Sequence, residues 1–337
     1  MYLVTQAYLF KVSSALGFFL TAGLVLHQLS YIEYLTITQQ DIVILKRCPS
    51  TSTDGAVQEV EKTIPDTIHQ IWKTSNTSTY PARASHESWK ARYEPLGYTV
   101  KLWTDDDIAT LIKTNYTWLL PTYNGYGRSI QRADLGRLAV IHAEGGIYAD
   151  LDVHPRSLDG LICLQNLGLQ AIFAPTGGTA GLSNHFFMAE QSADFLEWTL
   201  QEAKRRGGSA SKWILLPYLK VFWSTGPLML TGAFREYAWM YGKGQVDVAL
   251  LDEGHAKKVV GHAAGRSWHG SDGKVLNYFG DHLRINCQAA ILASLVVVAG
   301  LCYAGRRSRG KLMRSRLSTW LSKGENFLKD SFGFSNV

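Results

Sequence analysis

Two long stretches without any charged side chain constrain this chain more than any other feature. Residues 12–32 and 285–305 contain no Asp, Glu, Lys or Arg, and about 20 such residues span the hydrocarbon core of a bilayer. We therefore predict a transmembrane helix at each. A cleaved signal peptide or a buried core helix is the alternative for the first stretch, but it is longer than the apolar part of a typical signal peptide, and no A-x-A site follows it.

The charges beside the second apolar stretch predict an orientation. Residues 306–316 carry six basic side chains and no acidic one, and such clusters stay in the cytoplasm. With two spans, residues 1–11 are then cytoplasmic and residues 33–284 lie in a lumen. The glycosylation triplets at Asn76 and Asn115 agree with that compartment but are weak support. Cys48 and Cys163 would both be lumenal and could pair, which the sequence alone does not decide.

The excess positive charge lies in the last segment of the sequence. The chain has a net charge of +6, and residues 306–337 contain eight Lys or Arg against two Asp or Glu. The other residues are therefore close to neutral, whereas a nucleic-acid-binding domain carries basic charge on its folded surface. We expect no nucleic-acid partner. The basic cytoplasmic segment itself is either an amphipathic helix on the membrane or a disordered tail.

Apolar runs that alternate with helical patterns indicate the fold class of the region between the two spans. Residues 33–62 are polar and turn-rich, as in a stem, and residues 63–284 form the predicted domain. Strands alternating with helices favour an α/β domain with a largely parallel sheet. The predicted strands are TIHQIW (67–72), YTVKLW (98–103), IYADLDV (147–153) and LQAIFAP (169–175), and the predicted helices are TDDDIATLIKTNY (104–116) and RADLGRLAVIHAEGG (132–146).

Some residues that invite a functional interpretation have a simpler structural one. The acidic run Asp105–Asp107 looks like a metal cluster, but acids are favoured in the first turn of a helix, so we predict a helix start there. Trp103 and His69 lie on apolar strands and are predicted to pack in the core.

The stretch EGGIYADLD, residues 144–152, carries the strongest chemical signal. Asp150 and Asp152 share one face of a regular strand, and Tyr148 lies on the same face. Two hard carboxylate oxygens suit Mg²⁺ or Mn²⁺, which in turn bridges two phosphates. A D-x-D pair by itself is common and usually marks an edge strand, so its neighbours decide its meaning.

The stretch RADLGR, which precedes this pair, contains Arg132, Asp134 and Arg137. Asp134 and Arg137 are spaced i, i+3 and share a helix face, where they would usually form an ordinary ion pair. The order IPDTIHQIW, LW, RADLGR and GGIYADLD, however, resembles the DXD-containing glycosyltransferase family 32 of the fungal mannosyltransferase type, over residues 64–270. The resemblance implies a GT-A fold, a Rossmann-like α/β domain flanked here by N- and C-terminal transmembrane helices.

The resemblance also implies a role for each motif residue. Trp72 would stack on the nucleotide base of the donor, and Asp134 and Arg137 would contact its sugar hydroxyls and phosphate. Tyr148 would hold the ribose or phosphate region. Asp150 would contact ribose or sugar and a metal-bound water, while Asp152 would ligate Mn²⁺ (or Mg²⁺) directly. The expected donor-binding set also includes Arg132.

Two later segments resemble the family less closely. GLSNHFFMA brings Asn184 to the donor or acceptor, and with Asp134, Arg137 and Asp150 it completes the expected catalytic set. HAAGRSWHG brings Ser267 and Trp268 to the diphosphate. From the same segment we place His269 beside Asp150 and Asp152 in the expected metal set, with His262 as the alternative. The STGP segment, 224–227, also matches the family, but a tight turn explains its Pro227.

The expected activity follows from the resemblance and from the tethering of the domain by two spans. Similar size and C-terminal hydrophobic segments place the chain nearest the inositol phosphorylceramide mannosyltransferases. We expect a retaining transfer of mannose from GDP-mannose to that lipid, in the Golgi membrane with a lumenal catalytic domain and with a small regulatory subunit as an additional partner. The alternatives are an N-glycan or small-molecule glycosyltransferase and, from another class, a non-catalytic membrane binding subunit.

Overall fold

The computed structural model describes residues 17, 19–27, 42–48, 62–81, 83–176, 181–207, 209–241, 247–263 and 271–274. The chain divides into two compact units, Met1–Val275 and Leu276–Val337, and every described residue lies in the first. Among the described residues, no helix has the length and apolar character needed to cross a membrane. Most of the first predicted span and all of the second, together with residues 1–11 and 306–337, lie outside the described residues.

The described part of the chain alternates helices and strands. The helices are α1 (19–27), α2 (His86–Tyr93), α3 (Asp105–Asn115), α4 (Leu120–Gly125), α5 (Ser129–Glu144), α6 (Leu158–Gln165), α7 (Asp194–Gly207), α8 (Pro217–Ser224), α9 (Pro227–Tyr241) and α10 (Glu253–Val259). The strands are β1 (Val43–Leu45), β2 (Thr67–Ile71), β3 (Thr99–Trp103), β4 (Gly146–Ala149), β5 (Val153–Pro155), β6 (Ala171–Pro175), β7 (Leu182–Ala189), β8 (Val248–Leu251) and β9 (Val260–His262).

Seven strands form the central sheet, in the order β1-β8-β6-β7-β4-β2-β3. Strand β7 runs antiparallel to both β6 and β4, and the other four pairings are parallel. The prediction of an α/β domain with a largely parallel sheet is therefore confirmed. The antiparallel strand at its centre was not predicted, because its residues are buried on both faces and show no clear alternation.

The core forms on both faces of this sheet. Neighbouring residues in a strand point to opposite faces, so Tyr148 and Phe187 pack in one hydrophobic cluster and Ile147 and Phe186 in the other. Helices α3, α5, α7 and α9 cover the first face, while α2, α6 and α10 cover the second. This three-layer arrangement leaves the ends of the strands available for a site.

Local signals explain where α3 and α5 begin and end. The Thr104 hydroxyl accepts from the Asp107 backbone N–H while the Asp107 carboxylate accepts from Thr104, a capping box that confirms the acidic run as a helix start. Helix α5 ends at Glu144 and is capped by Gly145, and Gly146 has φ 100°. A Cβ at Gly146 would lie 2.5 Å from the Thr67 carbonyl oxygen, so only glycine lets β4 lie beside β2 here.

His69 and Trp103 pack in or against the core, as predicted, and the structure also brings them into contact. The Trp103 indole N–H donates to His69 Nδ1 over 3.0 Å, and His69 is fully buried. Burial lowers the pKa of His69 to about 4, so the ring is neutral at physiological pH. A neutral, hydrogen-bonded histidine of this kind is a structural residue.

The folded domain starts earlier than residue 63. Strand β1, within the predicted stem, pairs with β8 in register from Val43 with Ala249 to Leu45 with Leu251. Cys48 and Cys163 form a disulfide with a Cα–Cα distance of 6.3 Å. The boundary was missed because an apolar run of three residues is too short for a periodic signal.

Candidate functional site

The D-x-D pair lies where β4 ends, not within a regular strand. Strand β4 stops at Ala149, and Asp150 to Asp152 turn towards β5. The Asp150 backbone N–H donates to the His185 carbonyl over 2.9 Å, which anchors the turn to β7. The pair therefore sits at the carboxyl end of a strand flanked by one parallel and one antiparallel neighbour, where α/β sheets bind ligands.

Asp150 is held from two sides. The Tyr148 hydroxyl donates to Asp150 Oδ1 over 2.8 Å, and the Arg137 guanidinium lies 3.1 Å from the same oxygen. Arg137 also lies over the Tyr148 ring, 5.0 Å from its centroid. Burial raises the pKa of Asp150, while the Arg137 charge opposes that shift. The carboxylate is thus fixed in orientation by its neighbours rather than by solvent.

Asp134, on α5, is buried and carries protein donors on both carboxylate oxygens. Asn184 Nδ2 donates to Oδ1 over 3.0 Å and the Thr225 hydroxyl donates to Oδ2 over 3.0 Å. Arg137 Nη2 lies 3.3 Å from Oδ1. Burial raises the pKa of Asp134 to about 6, although the Arg137 charge and both hydrogen bonds favour the ionised form. Asp134 is therefore ionised at pH 7, but only narrowly.

Arg137 connects the two carboxylates. Besides Asp134 and Asp150, it donates to the Asn184 backbone carbonyl over 3.0 Å. A planar guanidinium can contact several acceptors in one plane, which lysine cannot do. The structure thus brings together five of the residues singled out in the sequence: Asp134, Arg137, Tyr148, Asp150 and Asn184.

Asp152 has a histidine neighbour that the sequence had left as an alternative. His262 Nε2 lies 3.5 Å from Asp152 Oδ2, because β5 and β9 pair with Val153 opposite His262. The His262 ring stacks on His185, with centroids 4.2 Å apart and planes inclined by 12°. The Ser183 hydroxyl is 2.6 Å from His185 Nδ1. A short antiparallel sheet, absent from the sequence prediction, thus places His262 beside the D-x-D pair.

The donor set at Asp152 fits a divalent cation. A carboxylate oxygen and an imidazole nitrogen are both accepted ligands of Mn²⁺, and substrate oxygens and water can complete the shell. Within the ranges that the structure describes, no group of three His, Cys, Asp or Glu side chains could hold a metal ion. His269, Ser267 and Trp268, which the sequence places near the metal and diphosphate, lie outside those ranges.

Trp72 lies at the end of β2 in the same region. Its indole N–H donates to the Thr79 hydroxyl over 2.7 Å, and the Tyr80 ring meets it edge to face at 4.9 Å. Burial raises the pKa of the Tyr80 phenol, and the charges of Asp152 and then Asp150 raise it further. Tyr80 therefore contacts the Trp72 ring and lies within electrostatic range of both carboxylates. It was not predicted because a single tyrosine in a loop gives no signal.

Arg132 does not join the cluster in this arrangement. Its Nη1 donates to the Tyr126 carbonyl over 2.8 Å. Thr225 does join it, although the sequence analysis noted only that STGP matches the family and explained its Pro227 by a turn. The motif match could have indicated Thr225, but its partner Asp134 is 91 residues away in the chain, so no local pattern reveals the contact.

Comparisons with known proteins agree with this geometry. A family model described as "Glycosyltransferase sugar-binding region containing DXD motif" matches residues 50–163, which include Trp72, Asp134, Arg137 and the D-x-D pair. The predicted similarity to DXD-containing glycosyltransferases is confirmed, and the protein is a glycosyltransferase. Members of this family generally use a divalent metal ion.

Individual relatives extend the similarity beyond that region. The chain is 29% identical over 266 residues to Inositol phosphoceramide mannosyltransferase 1 of Schizosaccharomyces pombe, covering 77% of this chain and 79% of the relative. It is 30% identical over 231 residues to Mannosyl phosphorylinositol ceramide synthase CSH1 of Saccharomyces cerevisiae, covering 65% and 57%. A solved glycosyltransferase involved in the glycosylation of the major capsid of PBCV-1 is 14% identical, with a TM-score of 0.37 over 63% of this chain and 97% of that one. That structural similarity is too low to support an inference.

Proposed function

We propose that this protein transfers mannose from GDP-mannose to inositol phosphorylceramide, with retention of configuration, at the Golgi membrane with its catalytic domain in the lumen. The observation that carries the acceptor and the sugar is the similarity to two relatives named for that reaction. The buried cluster around Arg137 supports transfer chemistry, because carboxylates and a guanidinium bind sugar hydroxyls and phosphate oxygens.

Different residues of the site bind different parts of the donor. Trp72 stacks on the base, and the Tyr80 phenol faces the ribose or diphosphate. Asp134 and Arg137 hold the sugar hydroxyls. Because Asp134 is fixed through both oxygens before substrate arrives, little reorganisation is needed on binding, and preorganised groups of this kind lower a reaction barrier.

A divalent cation would be held by Asp152 and His262, with Mn²⁺ preferred over Mg²⁺ because an imidazole nitrogen suits the softer ion. When bound, the cation supplies positive charge to the departing diphosphate. Tyr148 and Arg137 keep Asp150 oriented towards this region through their contacts of 2.8 and 3.1 Å.

Attack from the same face as the departing diphosphate accounts best for retention. A double displacement would need a carboxylate free to attack the anomeric carbon. Asp134 and Asp150, however, share the Arg137 guanidinium, and each also accepts a hydrogen bond from a hydroxyl, which weakens both as nucleophiles. The acceptor hydroxyl then forms the new glycosidic bond as the bond to the diphosphate breaks, and its proton passes to the leaving diphosphate. A sugar covalently bound to either aspartate in a trapping experiment would refute this mechanism.

Mass spectrometry of complex sphingolipids and N-glycans tests the function in cells that lack this protein. We expect mannosylated inositol phosphorylceramide to disappear and to return with the wild type but not with Asp152→Asn. The matched control is Asp106→Asn, which removes an exposed carboxylate in the first turn of α3 and should restore the lipid.

The other outcomes separate the alternatives. Unchanged sphingolipids with altered N-glycans would move the acceptor to glycoproteins, and no change in either would favour a small-molecule acceptor. Restoration by Asp152→Asn would favour a non-catalytic binding subunit. Purified full-length protein assayed with GDP-mannose against other nucleotide sugars identifies the donor, and replacing Mn²⁺ by Mg²⁺ identifies the ion.

A further inference from the structure

A short segment before α8 presents apolar side chains to solvent. In this segment, residues 211–216 and here called the rim segment, Trp213 is 66% exposed, Leu215 63% and Leu216 40%. Ile214, between them, is only 2% exposed. The buried Ile214 anchors the segment in the fold, so its neighbours are displayed by ordered structure. Clustered exposed apolar residues of this kind commonly mark an interaction surface.

The rim segment is connected to the candidate site through α8. The eight residues of α8 span about 12 Å. At its far end, Ser224 Oγ accepts from Gln131 Nε2 over 2.8 Å, and the next residue, Thr225, donates to Asp134. Both contacts are with α5, the helix that carries Asp134 and Arg137. The rim segment therefore lies one short helix away from the sugar-binding carboxylate.

A second contact ties the start of α8 to the other side of the site. The Tyr218 backbone N–H donates to Asp272 Oδ2 over 2.8 Å. Asp272 follows β9, whose His262 faces Asp152. The rim segment therefore leads directly into a helix that is bonded near its start to Asp272 and at its end to α5.

Basic side chains accompany the apolar ones. Lys212 is exposed within the rim segment, and Lys220 is partly exposed on α8. Arg128, exposed at the start of α5, acts electrostatically on Asp272. Tryptophan and lysine together are typical of membrane interfaces, where the indole lies at the headgroup level and the ammonium group meets lipid phosphates.

We propose that the rim segment docks on a bilayer surface carrying anionic headgroups, inserting Trp213, Leu215 and Leu216 at the interface so that the site faces its lipid acceptor. This proposal rests on the proposed function, since only a lipid acceptor requires the site to be brought to a membrane. Docking raises the encounter rate with acceptors in the bilayer and adds nothing for an acceptor free in solution.

A matched control exists on α9. Near the end of α9, Trp239 is 84% exposed and Met240 is 56% exposed. The helix begins at Pro227, close to Thr225 in the chain. Fifteen helical residues extend about 22 Å, so this second apolar patch lies far from Asp134 while presenting the same kind of side chain.

The first test compares two acceptors with the same headgroup, one with long chains in proteoliposomes and one with short chains in solution, using the full-length protein. We expect Trp213→Ser with Leu215→Ser to lower kcat/KM at least tenfold for the bilayer acceptor and to leave the soluble acceptor unchanged. Trp239→Ser should change neither. Equal losses for both acceptors, or the same loss with Trp239→Ser, would overturn the docking proposal. A wild type inactive on both acceptors would instead refute the proposed function.

The second test does not depend on activity. Leu216→Cys and Met240→Cys, each in a Cys287→Ser, Cys302→Ser background, are labelled with an environment-sensitive fluorophore and reconstituted in nanodiscs with or without anionic lipid. We expect a blue shift and quenching by spin-labelled lipid at position 216, stronger with anionic lipid, and neither at 240. A probe at 216 that stays in water in both kinds of nanodisc would overturn the proposal.

Discussion

Replacing Thr225 by valine tests the assignment of Asp134 most directly. Thr225 is fully buried, and its hydroxyl donates to Asp134 Oδ2 over 3.0 Å. Valine keeps the branched shape and removes the donor. Asp134 is only 4% exposed, so water cannot easily replace the lost hydrogen bond, and the ionised carboxylate loses a stabilising partner.

The expected size of the effect of Thr225→Val follows from the pKa of Asp134. Burial already raises this pKa to about 6, and the Thr225 hydrogen bond opposes that shift. A hydrogen bond to a charged group contributes roughly 1.5–3 kcal/mol, and about 1.4 kcal/mol corresponds to one pKa unit. Thr225→Val should therefore raise the pKa by roughly one to two units. If sugar binding uses the ionised carboxylate, as proposed, the acidic limb of kcat/KM should move to higher pH, with large losses near pH 6.5 and recovery in mildly alkaline buffer.

Thr225→Val should also lower the stability of the fold, and by more at high pH than at low pH. The folded-state pKa of Asp134, about 6, lies above the value of 3.8 for an unperturbed aspartate. Between those values the folded protein binds more protons than the unfolded one, so stability falls as pH rises through this window, by about 3 kcal/mol in all. Thr225→Val extends the window upward, so its melting temperature should fall further below wild type at pH 8 than at pH 5.

The assay is a pH–rate profile of kcat/KM for wild type, Thr225→Val and Thr225→Ser. Serine retains the hydroxyl and should leave the acidic limb in place, even if it loses some packing. An acidic limb that does not move in the valine variant, or a loss of activity that is uniform across pH, would refute the argument that Thr225 acts through the charge of Asp134.

Three further predictions concern the neighbouring groups. Arg137→Lys should lower kcat/KM tenfold or more with the fold intact by circular dichroism, because an ammonium group cannot reproduce the guanidinium contacts; near-wild-type activity would contradict the bridging role. His262→Ala should raise the Mn²⁺ concentration for half-maximal activity at least tenfold, and an unchanged Mn²⁺ requirement would move the ligand role to His269. Cys48→Ser removes a link to Cys163 across 115 residues, which should cost about 2–5 kcal/mol of unfolding free energy; a melting temperature unaffected by the change or by reductant would show that the link is dispensable.

The parts of the fold that sequence predicted are those with local signals. Strands β2 and β3 have short apolar runs, and α3 has a threonine cap followed by acids, so each could be located from its own residues. The Gly145–Gly146 pair marked the end of α5 for the same reason, since a left-handed backbone position favours glycine. The motif residues Asp134, Arg137 and Asp150 were found through their spacing, which the resemblance made specific.

The parts that were missed depend on contacts between distant segments. Strand β7 is inserted antiparallel between β4 and β6, and this position alone brings the Asn184 amide to Asp134 and the His185 carbonyl to Asp150. His262 reaches Asp152 only because β9 pairs with β5. No property of these residues in the sequence specifies the order of strands in the sheet.

The charge balance of the site explains why these distant contacts belong together. Asp134, Asp150 and Asp152 place three carboxylates close together, with Arg137 as the guanidinium between the first two. Three negative charges and one positive charge leave a net of two negative charges, which matches one divalent cation. Without the cation, a diphosphate would meet a repulsive surface, and with it the surface becomes neutral. Arg137 offsets one of the two buried carboxylates, so one negative charge remains beside it and a second lies at Asp152. Under the proposed function, α5 binds the sugar, and the turn after β4, together with β9, receives the leaving group.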